Sequence, residues 1–324
     1  SEYNDIFLLH NSSGKLNGVK ESIFMENIKD YSGRWRWNMV NDFRPQSIEY
    51  SGIKCYPTAN YVNYYGMQNG YPINDMTKAD AESGYDPTHP WKNRDPRFYK
   101  TIMFDGVKWK STGGAGGTAE LFTGGRESEE ANEKKGCFTA YMNSKLCPQL
   151  MNTVDGYKEN NIMILSLMRL ADVYLMYAEA TAVGYNGPKG KAATYSLTAE
   201  EALNKIRERA GVAPVLDKFL GSTADFLSEL RRERAVELSF EGFRFIDLRR
   251  WMLLTQYPYT LKTKIEFDRA DPSDYNYDEP EENAIKNLRE VVLLERKYTD
   301  RHYWYPLPKK DVSMYEGFYQ NPGW

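Results

Sequence analysis

The sequence is poor in the residues that most often carry out chemistry. Its 324 residues include only three histidines and three cysteines. His10, His89 and His302 are far apart, and none lies four residues from another histidine or beside a cysteine. A zinc site or a histidine-activated nucleophile is therefore not expected. The Gly-x-Ser-x-Gly and P-loop motifs are also absent, so we expect neither catalysis of those classes nor a cofactor.

The three cysteines are too few for a disulfide framework. Cys137 and Cys147 could form a bridge across a short loop in an oxidising compartment, but isolated buried thiols are also compatible with their spacing. The sequence begins at Ser1 without a methionine, an apolar signal segment or a lipobox cysteine. Any export signal or lipid anchor is therefore expected to lie outside it.

The chain has neither a strong excess of one charge nor a long apolar run. Its 42 Lys and Arg and 45 Asp and Glu give a net charge of −3, so we do not expect nucleic acid or an anionic membrane surface as a partner. Apolar runs such as 162–165 are far shorter than the roughly 20 residues that span a bilayer. With a mean hydropathy of −0.68, the composition indicates a soluble globular protein.

Aromatic residues are abundant. They make up 14% of the sequence, with 25 Tyr, 14 Phe and 7 Trp. Many lie among Asn, Gly, Pro and Asp, as in 31–37, 56–71 and 303–305. Flat rings on polar loops are typical of sugar-binding surfaces, because each ring offers a rigid apolar face and Tyr or Trp adds a polar group. The alternative is that such rings pack on the core, which is the commoner outcome for any single Tyr or Trp.

Patterning divides the chain into three segments of one domain. Residues 1–160 are rich in Gly, Asn, Pro and Tyr and predict a loop-rich, ligand-facing segment. Residues 161–260 predict a helical segment. Residues 261–324 predict an acidic loop, a short helical stretch and a tail rich in proline and aromatic residues. The acidic stretch 268–282 could hold Ca²⁺, but it lacks the spacing of an EF-hand, and a solvated loop is the preferred interpretation.

The middle segment predicts amphipathic helices. Apolar residues recur with helical spacing over 167–178. A second helix begins at a capping box formed by Thr198 and Glu201 and ends at Gly211. A third runs over 222–251. Helices joined by short polar turns predict tetratricopeptide-like hairpins in a mostly α fold.

Residues 229–244 carry more charge than one exposed helix face needs. In one interpretation, Glu237 and Glu241 are the acid and base of a glycosidase. In the other, ion pairs buried between helices are formed within the set Arg231, Arg234, Arg244, Glu233, Glu237 and Glu241. Two carboxylates one turn apart on a helix cannot flank a sugar from opposite sides, and nearby arginines would keep both ionised. The spacing therefore favours a structural role.

Several motifs occur together in a fixed order along the chain. They are YPT at 56–58, NGYPI at 69–73, NRDPRF at 93–98, RLADVYLMYAEA at 169–180, RRERAVELSFEGFRFIDLRRW at 231–251, YPLP at 305–308 and QNPGW at 320–324. In this order the motifs resemble the SusD/RagB family of nutrient-binding lipoproteins. The match corresponds to the C-terminal, larger part of the family's fold.

The resemblance implies a mostly α-helical SusD-like fold with tetratricopeptide-like hairpins and a loop-rich ligand-binding face. It implies a lipoprotein on the outer membrane, exposed at the cell surface and attached through an N-terminal lipid anchor that this sequence does not contain. It also implies a SusC-like TonB-dependent transporter as partner and a polysaccharide or oligosaccharide as ligand. The family's site is built partly from an N-terminal portion, so the resemblance leaves open whether this chain alone holds a complete site.

The candidate ligand contacts are aromatic residues with two polar partners for sugar hydroxyls: Trp35, Trp37, Asn38, Tyr64, Tyr71, Asp75, Trp91 and Trp109. Of these, Trp91 roughly matches the position at which family members place a stacking ring. The leading hypothesis is surface glycan binding and delivery to the transporter without catalysis. The alternatives are a peptide-binding relative of RagB and, less favoured, a glycoside hydrolase using Glu237 and Glu241.

Overall fold

The chain forms seven helices and seven strands within the residues that the computed structural model describes, and the predicted mostly α fold is confirmed. The described residues are 3, 6–7, 10–11, 18–27, 56–73, 81–108, 117–131, 133, 136–146 and 162–324. The helices are α1 (Ala59–Val62), α2 (Pro96–Thr101), α3 (Leu170–Gly184), α4 (Ala199–Ala210), α5 (Thr223–Glu237), α6 (Phe243–Arg250) and α7 (Lys309–Met314). The strands are β1 (His10–Asn11), β2 (Ser22–Asn27), β3 (Ile102–Met103), β4 (Met142–Asn143), β5 (Ile162–Arg169), β6 (Leu261–Arg269) and β7 (Ile285–Glu295). None of the described helices is both long and apolar enough to cross a membrane.

Helices α3, α4 and α5 pack together as the predicted helical hairpins. At the start of α4, Thr198 Oγ1 accepts a hydrogen bond from the Glu201 backbone N–H at 3.2 Å, and the Glu201 carboxylate accepts one from the Thr198 N–H at 2.7 Å. The helix ends at Gly211, whose φ of 76° suits a residue without a β-carbon. The core between the three helices includes Ala178, Ala182, Ala202, Leu203, Phe226 and Leu230. Because three of these six are alanines, the helices can approach closely.

The first predicted helix begins three residues later than its apolar stripe. Residues 162–169 form β5, and α3 starts at Leu170 after Arg169, which is extended with φ −140° and ψ 162°. Strand β5 lies between β1 and β2 and is antiparallel to both. Leu167 therefore belongs to the sheet, where it is 41% exposed. The turn from strand to helix places the Arg169 side chain in the buried interior.

Residues 261–295 form a hairpin, which corrects the predicted acidic loop and short helix. Strands β6 and β7 pair antiparallel from Leu261 with Glu295 to Arg269 with Ile285. The ladder has register shifts between Lys262 and Thr263 and between Glu266 and Asp268. The connection 270–284 is irregular, with short 3₁₀ turns at Pro272–Asp274 and Pro280–Glu282. The hairpin supports α1, because the Asn60 side-chain amide of α1 donates to the Leu261 carbonyl oxygen at 2.8 Å.

A buried aromatic cluster joins the loop-rich segment to this hairpin. Trp91 stacks on Phe104 with ring centroids 5.0 Å apart and meets Phe267 of β6 edge-on at 5.2 Å. Phe98 of α2 also stacks on Phe104, at 5.2 Å. The buried Arg94 guanidinium donates hydrogen bonds to several backbone carbonyl oxygens of the surrounding loops. The loops around α1 are therefore fixed from beneath by ring packing and by one arginine.

Candidate functional site

Buried charges follow one side of α5. The fully buried Glu237 carboxylate accepts hydrogen bonds from Arg97 Nη1 at 2.8 Å and Arg169 Nη1 at 2.5 Å, and a third from Arg209. Glu233, one turn earlier, shares Arg97 at 2.5 Å. These arginines come from α2, from the end of β5 and from α4. The ion pairs therefore join α5 to three other parts of the chain.

The environment of Glu237 and Glu241 contradicts the glycosidase alternative. Arg169 Nε and Nη2 donate to the two Glu241 oxygens at 2.8 Å each, and Lys145 Nζ adds a bond at 2.8 Å. Burial opposes ionisation of both carboxyl groups, but the neighbouring cations outweigh it and lower the pKa of Glu237 and the pKa of Glu241. A general acid needs a raised pKa and access to substrate. These two carboxylates have neither, so their role is structural.

The predicted partners of the three arginines were wrong. Arg234 binds two aspartates instead of glutamates, Asp172 of α3 at 2.6 Å and Asp247 of α6 at 2.7 Å. Among the described residues, Arg231 and Arg244 form no salt bridge. Both arginines instead line a cleft beside the buried ion pairs of α5.

This cleft has a volume of about 500 Å³ and lies between α1, α5 and the segment that follows α6. We call it the aromatic cleft. It is lined by Asn60, Asn63, Tyr64, Pro72, Ile73, Phe219, Ser228, Glu229, Arg231, Arg232, Arg244, Tyr257, Pro258 and Tyr259. Its size suits one or two sugar rings, and its lining combines tyrosines with amide and guanidinium groups.

Aromatic rings contact two of the three arginines that line the cleft. The Arg244 guanidinium carbon lies 4.8 Å from the Tyr64 ring centroid and 5.5 Å from that of Tyr259. The Arg231 guanidinium carbon lies 5.5 Å from the Trp251 ring centroid. Arg244 Nη1 and Arg231 Nε are buried and have no hydrogen-bond partner among the described residues. Cation–π contacts therefore position these charges without using all their donors.

Asn63 adds an acceptor to the same cleft, and Tyr257 adds an exposed ring. The Asn63 side-chain N–H donates to Glu290 Oε2 at 3.2 Å, which fixes the orientation of the amide. Asn63 Oδ1 is buried and unpartnered among the described residues. Tyr257 is 77% exposed. Residues that line the cleft thus carry buried, unsatisfied donors and an unsatisfied acceptor, and Tyr257 adds an exposed ring.

The structure separates the predicted ligand contacts that it describes. Tyr64 is half-buried and lines the aromatic cleft. Tyr71 lies outside it and donates a hydrogen bond to Glu82 Oε2 at 2.7 Å. Trp91 has no exposed surface, so the prediction that its ring stacks on a sugar is corrected to a core position. The remaining candidates, Trp35, Trp37, Asn38, Asp75 and Trp109, lie outside the described residues.

Sequence reasoning missed Asn63, Tyr257 and Tyr259. The Tyr-Pro-Tyr pattern at 257–259 is an aromatic pair around a proline in a polar segment. Aromatic residues among polar residues and prolines were the signal from which the other candidate ligand contacts were chosen. It could have nominated both tyrosines. Asn63 carries no such signal, because its role depends on Glu290, which is 227 residues away.

The one cysteine that the structure describes lies in the core. Cys137 is a free, buried thiol that donates to the Tyr141 carbonyl oxygen at 3.1 Å. Burial, partly offset by Thr139, raises the pKa of Cys137 to about 11. Cys55 and Cys147 lie outside the described residues. In the part of the chain that the structure describes, no group of His, Cys, Asp and Glu could hold a metal ion.

Solved structures with the same fold cover nearly all of the chain. A SusD-like protein from Bacteroides fragilis NCTC 9343 is 22% identical, with a TM-score of 0.69 over 99% of this chain and 57% of its own. A SusD-like carbohydrate binding protein from the same strain is 19% identical, with a TM-score of 0.66 over 96% of this chain and 56% of its own. A SusD superfamily protein from Parabacteroides distasonis ATCC 8503 is 17% identical, with a TM-score of 0.53 over 99% of this chain and 53% of its own. The chain therefore spans little more than half the length of these proteins.

The sequence identities to these structures are too low to assign the chain to a family, but a family model does assign it. No curated protein matches the chain. The model of the SusD family matches residues 20–324, which include all the motifs on which the resemblance was based. The resemblance predicted from those motifs is confirmed, and the chain belongs to the SusD family.

Proposed function

We propose that this protein binds glycan at the bacterial cell surface without catalysis. The aromatic cleft is the observation that carries this proposal. Tyr257 offers an exposed face for the apolar side of a sugar ring. Unpartnered groups of Asn63, Arg231 and Arg244 offer hydrogen bonds to its hydroxyls. A relative with the same fold is described as carbohydrate binding, which is consistent with this ligand class.

The absence of a chemical step is supported by the electrostatics of α5. Glu237 and Glu241 are held ionised by buried cations and are not part of the aromatic cleft. A bound sugar would therefore meet no carboxyl group with a raised pKa at these positions. We expect the protein to release its ligand unchanged.

Delivery to a SusC-like TonB-dependent transporter is the second part of the proposal. It is supported by membership of the SusD family, as is the position of the protein on the outer membrane through a lipid anchor. Affinity purification of the tagged protein from its native membranes should recover a TonB-dependent transporter. Surface labelling of intact cells should reach the protein. Recovery of the protein without a TonB-dependent transporter would contradict the proposed delivery. Labelling of the protein only after the cells are lysed would contradict its position at the cell surface.

Replacement of Tyr257 tests the cleft as the glycan site. Tyr257→Ala should weaken binding to the best ligand of a glycan panel by about fivefold, because one stacked ring contributes on the order of 1 kcal/mol. Isothermal titration calorimetry measures the change. Tyr319→Ala is the matched control, since Tyr319 is 83% exposed and does not line the cleft. Equal affinities of both variants would place the site elsewhere, and binding of oligopeptides but no glycan would favour the RagB-like alternative.

A further inference from the structure

We propose that the aromatic cleft selects glycans that carry a negatively charged group, a carboxylate or a sulfate ester, and that Arg231 and Arg244 contact that group. This inference rests on the proposed glycan-binding function and narrows its ligand class. The distribution of charge and of unsatisfied hydrogen-bonding groups in the cleft carries it.

Unpartnered polar atoms concentrate in this one cleft. Six buried side-chain nitrogen or oxygen atoms of the described residues lack a hydrogen-bond partner. Three of the six belong to residues that line the cleft, Asn63, Arg231 and Arg244. A buried polar atom without a partner costs free energy, so a ligand that supplies the partners binds favourably. Both arginines remain partly exposed, and their flexible side chains can turn these nitrogens toward a ligand.

The lining charges leave an excess of positive charge. Three arginines and one glutamate line the cleft. The glutamate, Glu229, already binds Arg232 and Arg207. Arg231 and Arg244 therefore face the cleft without a described counter-charge. A guanidinium attracts an anion electrostatically and can bind it with two parallel hydrogen bonds. An anionic group therefore gains more here than a neutral hydroxyl.

Part of this positive charge also acts on a neighbouring lysine, Lys262. Burial, together with the cations Arg296 and Arg244, lowers the pKa of Lys262 to about 8. Lys262 belongs to β6, next to Leu261, which bonds to α1 beside the cleft. The charged groups that influence Lys262 are thus both positive. An anion bound at Arg244 would offset this repulsion and raise the pKa of Lys262.

The remaining lining favours an acidic sugar over a simple inorganic anion. The Asn63 amide is oriented by Glu290, so its unpartnered oxygen can only accept a hydrogen bond. A sulfate ion has no proton to donate to it at neutral pH, whereas a sugar hydroxyl does. The exposed Tyr257 ring adds a face on which a sugar can stack. One acidic sugar satisfies all three kinds of group.

Matched pairs of ligands test the selection on the unaltered chain. Calorimetry with oligogalacturonate and with its fully methyl-esterified form compares a carboxylate with a neutral ester on one backbone. Sulfated and unsulfated galactan oligosaccharides make the same comparison for a sulfate ester. We expect at least one anionic ligand to bind about tenfold or more tightly than its neutral partner. We also expect that advantage to decrease as salt is raised.

Variants then assign the selection to the cleft. Arg231→Gln should reduce the ratio of anionic to neutral affinity by about fivefold or more. Arg289→Gln is the control for loss of one positive charge, since Arg289 lies on β7 outside the cleft and should leave the ratio unchanged. Titration of Lys262 by NMR on the unaltered chain, with and without the anionic ligand, needs no variant. The ligand should raise the Lys262 pKa.

The outcomes separate this inference from the function on which it rests. Equal affinity for anionic and neutral members of every pair would overturn the inference and leave glycan binding intact. Binding of none of the glycans would overturn both. Binding of inorganic sulfate as tightly as the sulfated glycan would show that only the ion is recognised and would also overturn the inference. A Lys262 pKa unmoved by a tightly bound anionic ligand would place that ligand outside the cleft.

Discussion

At the scale of single residues, Arg234 shows how a buried charge is stabilised by two partners. Its guanidinium lies between Asp172 and Asp247, at 2.6 Å and 2.7 Å, and all three side chains are almost completely buried. Asp247 also binds Arg250 at 2.9 Å, but Asp172 has no second cation among the described salt bridges. Removal of Arg234 would therefore leave a buried carboxylate without a counter-charge.

We expect Arg234→Ala to lower the free energy of unfolding by about 3–5 kcal/mol, the usual cost of breaking a buried pair from one side. For a chain of this length the corresponding fall in melting temperature is on the order of 5 °C. Differential scanning calorimetry measures both. Arg289→Ala should change the melting temperature little, because Arg289 is an exposed partner of Glu266 with 70% of its side chain accessible. A melting temperature unaffected by Arg234→Ala would show that the pairs with the aspartates add no net stability.

Single residues also show where sequence reasoning reached its limit. Trp91 lies between Pro90 and the polar motif 93–98, a context that suited a ligand-binding loop as well as a packed corner. Its burial is decided by Phe104 and by Phe267, which is 176 positions further along the chain. No local pattern records such a contact. The same local reasoning nominated Tyr64, which does line the aromatic cleft.

At the scale of elements, predictions succeeded where the signal is local. The capping box of α4 and its glycine end depend on residues within a few positions of one another, so they were readable directly. The hairpin was missed because acidic residues in its connection made 261–290 resemble a solvated loop. Strand β6 nevertheless buries alternate residues from Thr263 to Arg269, the period of a strand. In β7, Ile285, Leu288 and Val292 recur with spacings that also fit a helix, which explains the wrong prediction there.

Helix α5 should make the stability of the protein sensitive to acid. Burial would raise the pKa of Glu233, but Arg97 and Arg207 outweigh it and lower this pKa to about 2, from an ordinary value of 4.5. A carboxyl group with a depressed pKa in the folded state contributes stability that is present above its unfolded pKa. That contribution is lost as pH falls through the folded pKa.

The difference in free energy of unfolding between the unaltered protein and Glu233→Gln should therefore be largest above pH 4.5 and shrink as pH falls toward 2. Urea unfolding followed by circular dichroism at several pH values measures it. Glu208→Gln is the control, since Glu208 has 76% of its side chain exposed and should show only a small difference at every pH. A Glu233→Gln difference that stays constant over this range would contradict the acid dependence.

At the scale of the whole molecule, ion pairs cross the boundaries between the three segments predicted from sequence. Arg97 of the first segment binds Glu233 and Glu237 of the second. Asp105 of the first binds Arg269 of the third at 2.7 Å. The aromatic cleft is also lined by residues of both the first and the second segment. We therefore expect the segments to fold as one unit and the ligand site to depend on that unit.

This expectation can be tested by comparing two probes of unfolding. In a variant with Trp251, Trp304 and Trp324 replaced by Phe, tryptophan fluorescence follows the loop-rich segment, which includes the packed Trp91. Far-UV circular dichroism is dominated by α3, α4 and α5. In urea, the two signals should change with the same midpoint, because loss of either side of the buried Arg97 pairs leaves charges without partners on the other. Arg234→Ala, which acts only within the helical segment, should shift both midpoints equally. A fluorescence midpoint that stays in place while the dichroism midpoint falls would show that the helices unfold independently of the loop-rich segment. The two sides of the aromatic cleft would then unfold at different urea concentrations.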